Sequence, residues 1–393
     1  MGVRRSTLGV LALLAACGDD APNDALPTDD GGAPVILDAS SPLDASVADA
    51  NVDAHFDWRL PKGFPTPKVP ADNPMTPAKV ELGRFLFYDE RLSDNQTQSC
   101  ASCHKQELAF TDGRALGLGS TGALHPRGPM TLANVAYAPT LTWGNSLMTD
   151  LEHQGRVPIF GDDPIELGIP SISALEQRLQ AVPGYAPLFE QAFPERPKVT
   201  AENTLDALSA FQRSIISGNS SYDRWFNGET GAISESAQRG HLLFNSERLE
   251  CFHCHSGFAF TDHVVWDGQA FPTAPFHQTG LYNLDGRGAY PEKNQGIYEN
   301  TTDPRDMGKF KAPTLRNIAL TAPYMHDGSI ATLEDVLVHY SKGGRAHSFR
   351  TDPLLIGFEL TPDEVADVIA FLTSLTDEQF LKDPRYSDPG TVN

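Results

Sequence analysis

A mainly α-helical chain built from two copies of one unit is predicted by three observations. Cys-x-x-Cys-His occurs twice, at Cys100–His104 and Cys251–His255. Each occurrence is flanked by the same phrases: Gly83-Arg-Phe-Leu-Phe-Tyr-Asp-Glu-Arg-Leu92 and Gly240-His-Leu-Leu-Phe-Asn-Ser-Glu-Arg-Leu249 before it, Ala-Phe-Thr-Asp (109–112 and 259–262) after it. Helical periodicity is strong and strand signals are sparse. A repeat near 150 residues is a duplicated domain and not a short-period solenoid.

The helices follow from local chemistry. Thr76-Pro77 offers an N-cap and a proline at the first helical position before Lys79–Tyr88. Thr361-Pro-Asp-Glu364 is a capping box, and behind it Val365, Val368, Ile369, Leu372 and Leu375 recur on one face. A third helix is expected over Ala201–Ser217, with Leu205, Leu208, Phe211 and Ile215 along it. Each copy thus begins with a helix leading into its Cys-x-x-Cys-His motif and ends with an amphipathic helix.

Cysteine usage names the chemistry. Cys100, Cys103, Cys251 and Cys254 account for four of the five cysteines. Two thiols one turn apart can add to the two vinyl groups of a haem, and the next residue, His104 or His255, becomes its proximal iron ligand. A four-cysteine zinc ribbon wants its halves about 15–20 residues apart, whereas these histidines are 151 apart. Disulfides would not require a histidine after each second cysteine. The expectation is two tandem cytochrome c-like domains, each with one covalently attached haem c, divided near Gly228–Gly231. The N-terminal domain is expected over 58–230 and the C-terminal domain over 231–393.

The remaining cysteine lies at the N-terminus. Arg4 and Arg5 precede the short apolar run Leu8–Ala16, too short to span a bilayer. Leu14-Ala-Ala-Cys17 is similar to a bacterial lipobox, which implies a signal peptide over 1–16 and lipidation of Cys17. Gly18–Ala54 carries nine aspartates and no lysine or arginine. Residues 17–57 are therefore read as a lipidated cysteine and a disordered acidic tether. The expected location is the periplasmic side of a bacterial membrane, held only by the lipid. A net charge of −21 argues against nucleic acid as a partner.

Several blocks resemble the di-haem cytochrome c peroxidase and MauG family across residues 60–380. They include Leu86–Ser93, Arg127-Gly-Pro-Met-Thr-Leu-Ala-Asn134, Trp143, Gln154, Pro158 and Glu166-Leu-Gly168. Phe310-Lys-Ala-Pro-Thr-Leu-Arg-Asn317 and Thr321-Ala-Pro-Tyr-Met-His-Asp-Gly328 are the longest. The resemblance implies that the haem on His104 reacts with hydrogen peroxide and that the haem on His255 transfers electrons. It implies Glu166 as acid–base residue, Gln154 as orienting amide, Pro158 as pocket wall and Trp143 as the tryptophan between the haems. Ordinary members place a methionine 14 residues after the position of His326; here that position is Tyr340. MauG-like members use a tyrosine there as sixth iron ligand. Met325 and His339 are rival ligands by chemistry alone. An anionic tyrosine favours high-valent iron, whereas axial methionine favours ferrous iron. His125, two residues before Arg127, is closer than the family's distal ligand, so it is read as outside the iron's coordination, leaving that iron open.

Thr321 and Pro323 match the backbone ligands of a calcium ion, but Gly128 stands where the family has an asparagine. Losing that hard oxygen ligand puts calcium in doubt. A narrower resemblance, carried by Leu124-His-Pro-Arg127, Leu141-Thr-Trp-Gly-Asn145 and Val157-Pro-Ile-Phe-Gly161, is to the MbnH branch. Its members oxidise a tryptophan of a partner, MbnP, to kynurenine. The expected function is peroxide-driven oxidation of an aromatic residue, tryptophan, on a partner protein through a high-valent di-haem state. The alternative is reduction of hydrogen peroxide with electrons from a small cytochrome c or cupredoxin.

Overall fold

A computed structural model describes residues 56–393; the signal segment, Cys17 and nearly all of the acidic tether lie outside them. Eleven α-helices follow in order among the described residues: α1 Pro77–Tyr88, α2 Cys100–Cys103, α3 Leu151–Phe160, α4 Ile172–Gln180, α5 Tyr185–Ala192, α6 Ala201–Ser214, α7 Ser221–Phe226, α8 Glu235–Phe244, α9 Tyr298–Thr301, α10 Leu333–Ser341 and α11 Pro362–Ser374. Strand pairing among these residues is limited to isolated bridges.

The expected starts are observed. Thr76 accepts from the Lys79 amide at the head of α1, and Thr361 and Glu364 form a reciprocal capping box on α11. Helix α6 stops at Ser214, three residues before the expected end. Asn134 takes over there. Its amide donates to the Ile215 carbonyl at 2.8 Å, and its side-chain oxygen accepts from the Ser217 amide at 3.0 Å. Asn134 holds this position in the left-handed region, which asparagine tolerates better than most residues.

The duplication is visible in the packing. Helix α1 crosses α6 with Gly83 at the contact, where a Cβ would run into the Ala207 carbonyl. Helix α8 crosses α11 with Gly240 against the Asp367 carbonyl in the same way. Phe87 and Phe211 pack at the first crossing, Phe244 and Phe371 at the second, with ring centroids 5.1 Å apart in each. All four rings are essentially buried, and each contributes about 1.5–3 kcal/mol of transfer free energy. The repeat extends further than the quoted phrases. Thr131 donates to the Ala109 carbonyl and Thr314 to the Ala259 carbonyl, while Asn134 and Asn317 share one left-handed conformation.

The chain does not divide cleanly at 230/231. After α11 the tail returns to the first half, and Phe380, Tyr386 and Val392 lie in the core built by α1, α5 and α6. Gln106 donates to the carbonyls of Phe380 and Asp383, Tyr88 to that of Tyr386, and Arg91 to that of Val392. At the junction Asp377 accepts from Ser217, Gly218 and Asn219.

Candidate haem sites and peroxide pocket

In each half the attachment motif forms one short turn. Cys100–Cys103 is a single α-helical turn capped by Ser99, and Cys251–His253 is a 3-10 turn. None of the four cysteines is in a disulfide. His104 Nδ1 lies 2.8 Å from the Phe110 carbonyl, and His255 Nδ1 lies 3.2 Å from that of Phe260. A bond through Nδ1 fixes the ring and leaves Nε2 to face a metal. Burial also lowers both histidines, which keeps the imidazoles neutral, as iron ligation requires.

Cys251, Cys254, His255 and Tyr340 line one cavity in the second half. Free thiols, a neutral histidine and a half-buried phenol around one apolar cavity fit a covalently bound haem with a second axial donor. Burial pushes the Tyr340 phenol up, so binding as phenolate requires a cation such as ferric iron. Of the rivals, Met325 lines the same cavity. His339 has both ring nitrogens engaged: Nε2 with the Thr279 carbonyl at 2.9 Å, and Nδ1 as acceptor from the Arg345 amide at 3.2 Å.

Trp143 comes from the first half but lines this second-half cavity. Its indole donates to the Gly128 carbonyl at 2.8 Å, and its own carbonyl accepts from the Lys311 amide at 3.1 Å. Thr321 and Pro323 line the same cavity. The two clusters of His, Cys, Asp and Glu side chains close enough to share a cation, among the described residues, are Cys254/Asp262/His277 and Glu247/Glu250/His253. Neither includes Thr321 or Pro323, and in the first the cysteine belongs to the second Cys-x-x-Cys-His motif.

The residues expected at the peroxide site gather around α3. Asp150 caps this helix, and Gln154 and Pro158, four residues apart, share a face. The Pro158 carbonyl accepts from the Leu167 amide at 2.8 Å, which draws Glu166 alongside the helix. The Glu166 carbonyl accepts from the Ser120 amide at 2.7 Å, and Gly119 packs where a Cβ would strike the Ile165 carbonyl. Cys103 Sγ faces the Leu118 carbonyl at 3.9 Å, so the same loop touches both the attachment motif and Glu166. Burial raises the Glu166 carboxyl to about 7. His125 is not a remote surface residue: its Nε2 lies 4.0 Å from Glu166 Oε1.

Sequence reasoning missed two charged groups. His277 is clamped at 2.7 Å on each side, Nε2 to Asp262 and Nδ1 to Asp352. Burial opposes its charge, yet the two carboxylates carry it to about 12. Lys311 is buried on the cavity wall, donates to the Thr140 carbonyl at 3.0 Å, and is lowered by burial to about 8. Asp262 was legible as the end of the Ala-Phe-Thr-Asp repeat, but nothing in the sequence pairs it with His277.

The comparisons agree with this geometry. The profile described as di-haem cytochrome c peroxidase matches residues 77–231. The methylamine utilization protein MauG of Methylorubrum extorquens is 38% identical, with 86% of this chain and 89% of that protein covered. The chain belongs to the di-haem cytochrome c peroxidase family. It is accordingly an oxidoreductase that uses peroxide, with two haem c groups as cofactors. Another relative of this family, the cytochrome-c peroxidase IdrP1 of Denitromonas iodatirespirans, is 35% identical over 84% of this chain and 91% of its own. A solved MauG-like protein associated with microbial copper homeostasis is 48% identical, with a TM-score of 0.83 over 85% of this chain and 99% of that one. The di-haem peroxidase BthA of Burkholderia thailandensis shares the fold at 21% identity, with a TM-score of 0.63 over 81% of this chain and 91% of its own.

Proposed function

We propose that this di-haem peroxidase uses hydrogen peroxide to oxidise a tryptophan of a partner protein. The observation that carries the reading is Tyr340 on the cavity lined by His255, at the chain position where the family resemblance expects the methionine of ordinary members. Bound haem iron supplies the centre that takes up the two oxidising equivalents of peroxide. The chain's own residues do the rest. Glu166 is deprotonated in part near neutrality, so it can take a proton from the near peroxide oxygen and return one to the leaving oxygen. Gln154 orients peroxide and water, and Pro158 walls the pocket. Trp143, held at both its indole nitrogen and its carbonyl, is a fixed aromatic bridge toward the second cavity.

The likeness to a protein associated with copper homeostasis favours an exported, MbnP-like partner with metal-ligand residues. Cys17 fits an anchor holding the enzyme at a membrane surface. No helix among the described residues is long and apolar enough to cross one. Calcium at Thr321 and Pro323 has the weakest support, since Gly128 offers no side-chain oxygen.

The test is co-expression of the mature enzyme with the product of a neighbouring gene, followed by mass spectrometry of that partner after peroxide. A mass change on one tryptophan, absent without enzyme, is expected. An unmodified partner, together with rapid peroxide turnover fed by a small cytochrome c or cupredoxin, would assign the enzyme to peroxide removal.

A further inference from the structure

One aromatic cluster lies outside the pocket and beyond everything assigned above. The carbonyl of Phe260 holds the proximal His255, and the Phe260 ring meets that of Tyr222 edge-on at 5.3 Å. The Tyr222 hydroxyl faces His241 Nε2 at 3.4 Å. Trp225, one helical turn on, packs against both, with ring centroids 5.9 Å from Tyr222 and 5.4 Å from His241. Tyr222 is buried and Trp225 is partly exposed; its neighbour Phe226 is 71% exposed. A continuous series of contacts therefore runs from the proximal histidine of the second haem position to the surface.

We infer that Tyr222 is a redox-active tyrosine, with His241 as its proton acceptor and Trp225 as its outlet, that carries oxidising equivalents from the second haem position to the protein surface. The inference rests on the proposed reading that peroxide leaves the haem pair oxidised. A phenol that loses an electron becomes a strong acid, so a buried tyrosine is oxidised readily only with a base within hydrogen-bond reach. His241 is that base. Burial lowers it, so it rests neutral, and burial raises the Tyr222 phenol to about 12, so the proton stays on oxygen until an electron leaves. Asp223 is nearby but committed to Arg316, with bonds of 2.8 and 2.9 Å.

The duplicated fold supplies an internal control. In the first half the Phe110 carbonyl holds His104 in the same way, but the rings around Phe110 are Phe87, Phe380 and Tyr386. The Tyr386 hydroxyl meets only the backbone of Ile216. Arg84 stands in the repeat where the second half has His241, and it pairs with Glu81. The tyrosine–histidine–tryptophan set therefore belongs to the half in which Tyr340 lines the cavity that would hold the haem.

The electrons balance over four steps. Hydrogen peroxide takes two electrons and two protons to become two waters, and bound haem would supply those two electrons. Tyr222 gives one electron inward and its phenolic proton to His241 Nε2. Trp225 then gives one electron to the Tyr222 radical, and His241 returns the proton to the Tyr222 oxygen. A one-electron donor at the surface, an aromatic side chain of another protein, restores Trp225. A second pass discharges the other equivalent.

The test uses mature holoprotein with one equivalent of hydrogen peroxide and neither partner nor reductant, read by freeze-quench EPR, haem absorbance and peptide mapping. The parent should show an organic radical that narrows when tyrosines are ring-deuterated, and oxygen added to Trp225. Tyr222→Phe keeps the ring packing and removes only the hydroxyl. It should abolish the deuterium-sensitive signal and lengthen the life of the oxidised haem spectrum several-fold. His241→Phe should do the same with Tyr222 still present. Parental radical yield and lifetime in Tyr222→Phe, with two haems and a parental circular dichroism spectrum, would overturn the route alone. A parent whose haem absorbance ignores peroxide would overturn both the route and the proposed function.

Discussion

Trp143 donates its indole hydrogen to the carbonyl of Gly128 at 2.8 Å. The bond ties this tryptophan to Gly128, where the family resemblance implies a calcium-ligating asparagine. Here the position offers no side-chain oxygen, and the tryptophan is fixed by backbone instead. Chelation with EGTA should therefore leave the haem spectra and the peroxide reaction unchanged. A loss of low-spin character on chelation would show that a bound cation organises this junction.

The Tyr340→Met variant tests the proposed function at the second iron. A phenolate stabilises ferric iron and a thioether ferrous iron, so the second haem potential should rise on redox titration. Partner tryptophan oxidation should disappear, while peroxide turnover with a small reductant persists because His104, Glu166 and Gln154 are untouched. An unchanged haem spectrum with full partner modification would remove Tyr340 from the coordination sphere.

Glu166 sets a pH dependence. Its carboxyl sits at about 7 because burial disfavours the charge. The base form is the deprotonated one, so the stopped-flow rate of the peroxide reaction should climb as pH rises through about 7 and level above it. Glu166→Gln should lower the rate by on the order of 10²–10⁴ and flatten that limb.

Changing Cys100 and Cys103 together to serine should leave one haem per chain. It should reside in the second half, and the pyridine haemochrome of the parent should give two. A single haem in the parent would contradict the duplicated attachment motif.

Gly83→Ala and Gly240→Ala weigh propensity against packing. Alanine in place of a helix-interior glycine gains about 1 kcal/mol. At these two positions the added methyl meets a partner helix's carbonyl, which cannot rotate away. Overpacking of this kind costs about 1–3 kcal/mol or more. Both variants should melt below the parent in thermal unfolding, with a similar penalty for each.

Much of this was legible in the sequence because it is written locally. Thr76 and the Thr361–Glu364 box announce their helices within four residues, and each attachment motif specifies its own ligands. Tyr340 was singled out by counting along the family resemblance, and it lines one cavity with His255. His277 was not found, because its two carboxylates are 15 and 75 residues away and no period connects them. The end of α6 was misjudged for the same reason: Asn134, some 80 residues upstream, claims the backbone there. The returning tail has no helical period to reveal it, only a single 3-10 turn at Phe380–Lys382 and scattered apolar side chains.

That tail orders events in time. A chain emerges N-terminus first, so the half bearing Cys100 and Cys103 is made early. Yet Phe380, Tyr386 and Val392 of its core appear only after the whole second half has been made. The first half to be made is therefore the last to be finished. Until residues 380–386 arrive, the wall around Phe110, whose carbonyl positions His104, lacks Phe380 and Tyr386. A chain cut after Ser374 would leave that wall open, even though Gln154, Pro158 and Glu166 are all present.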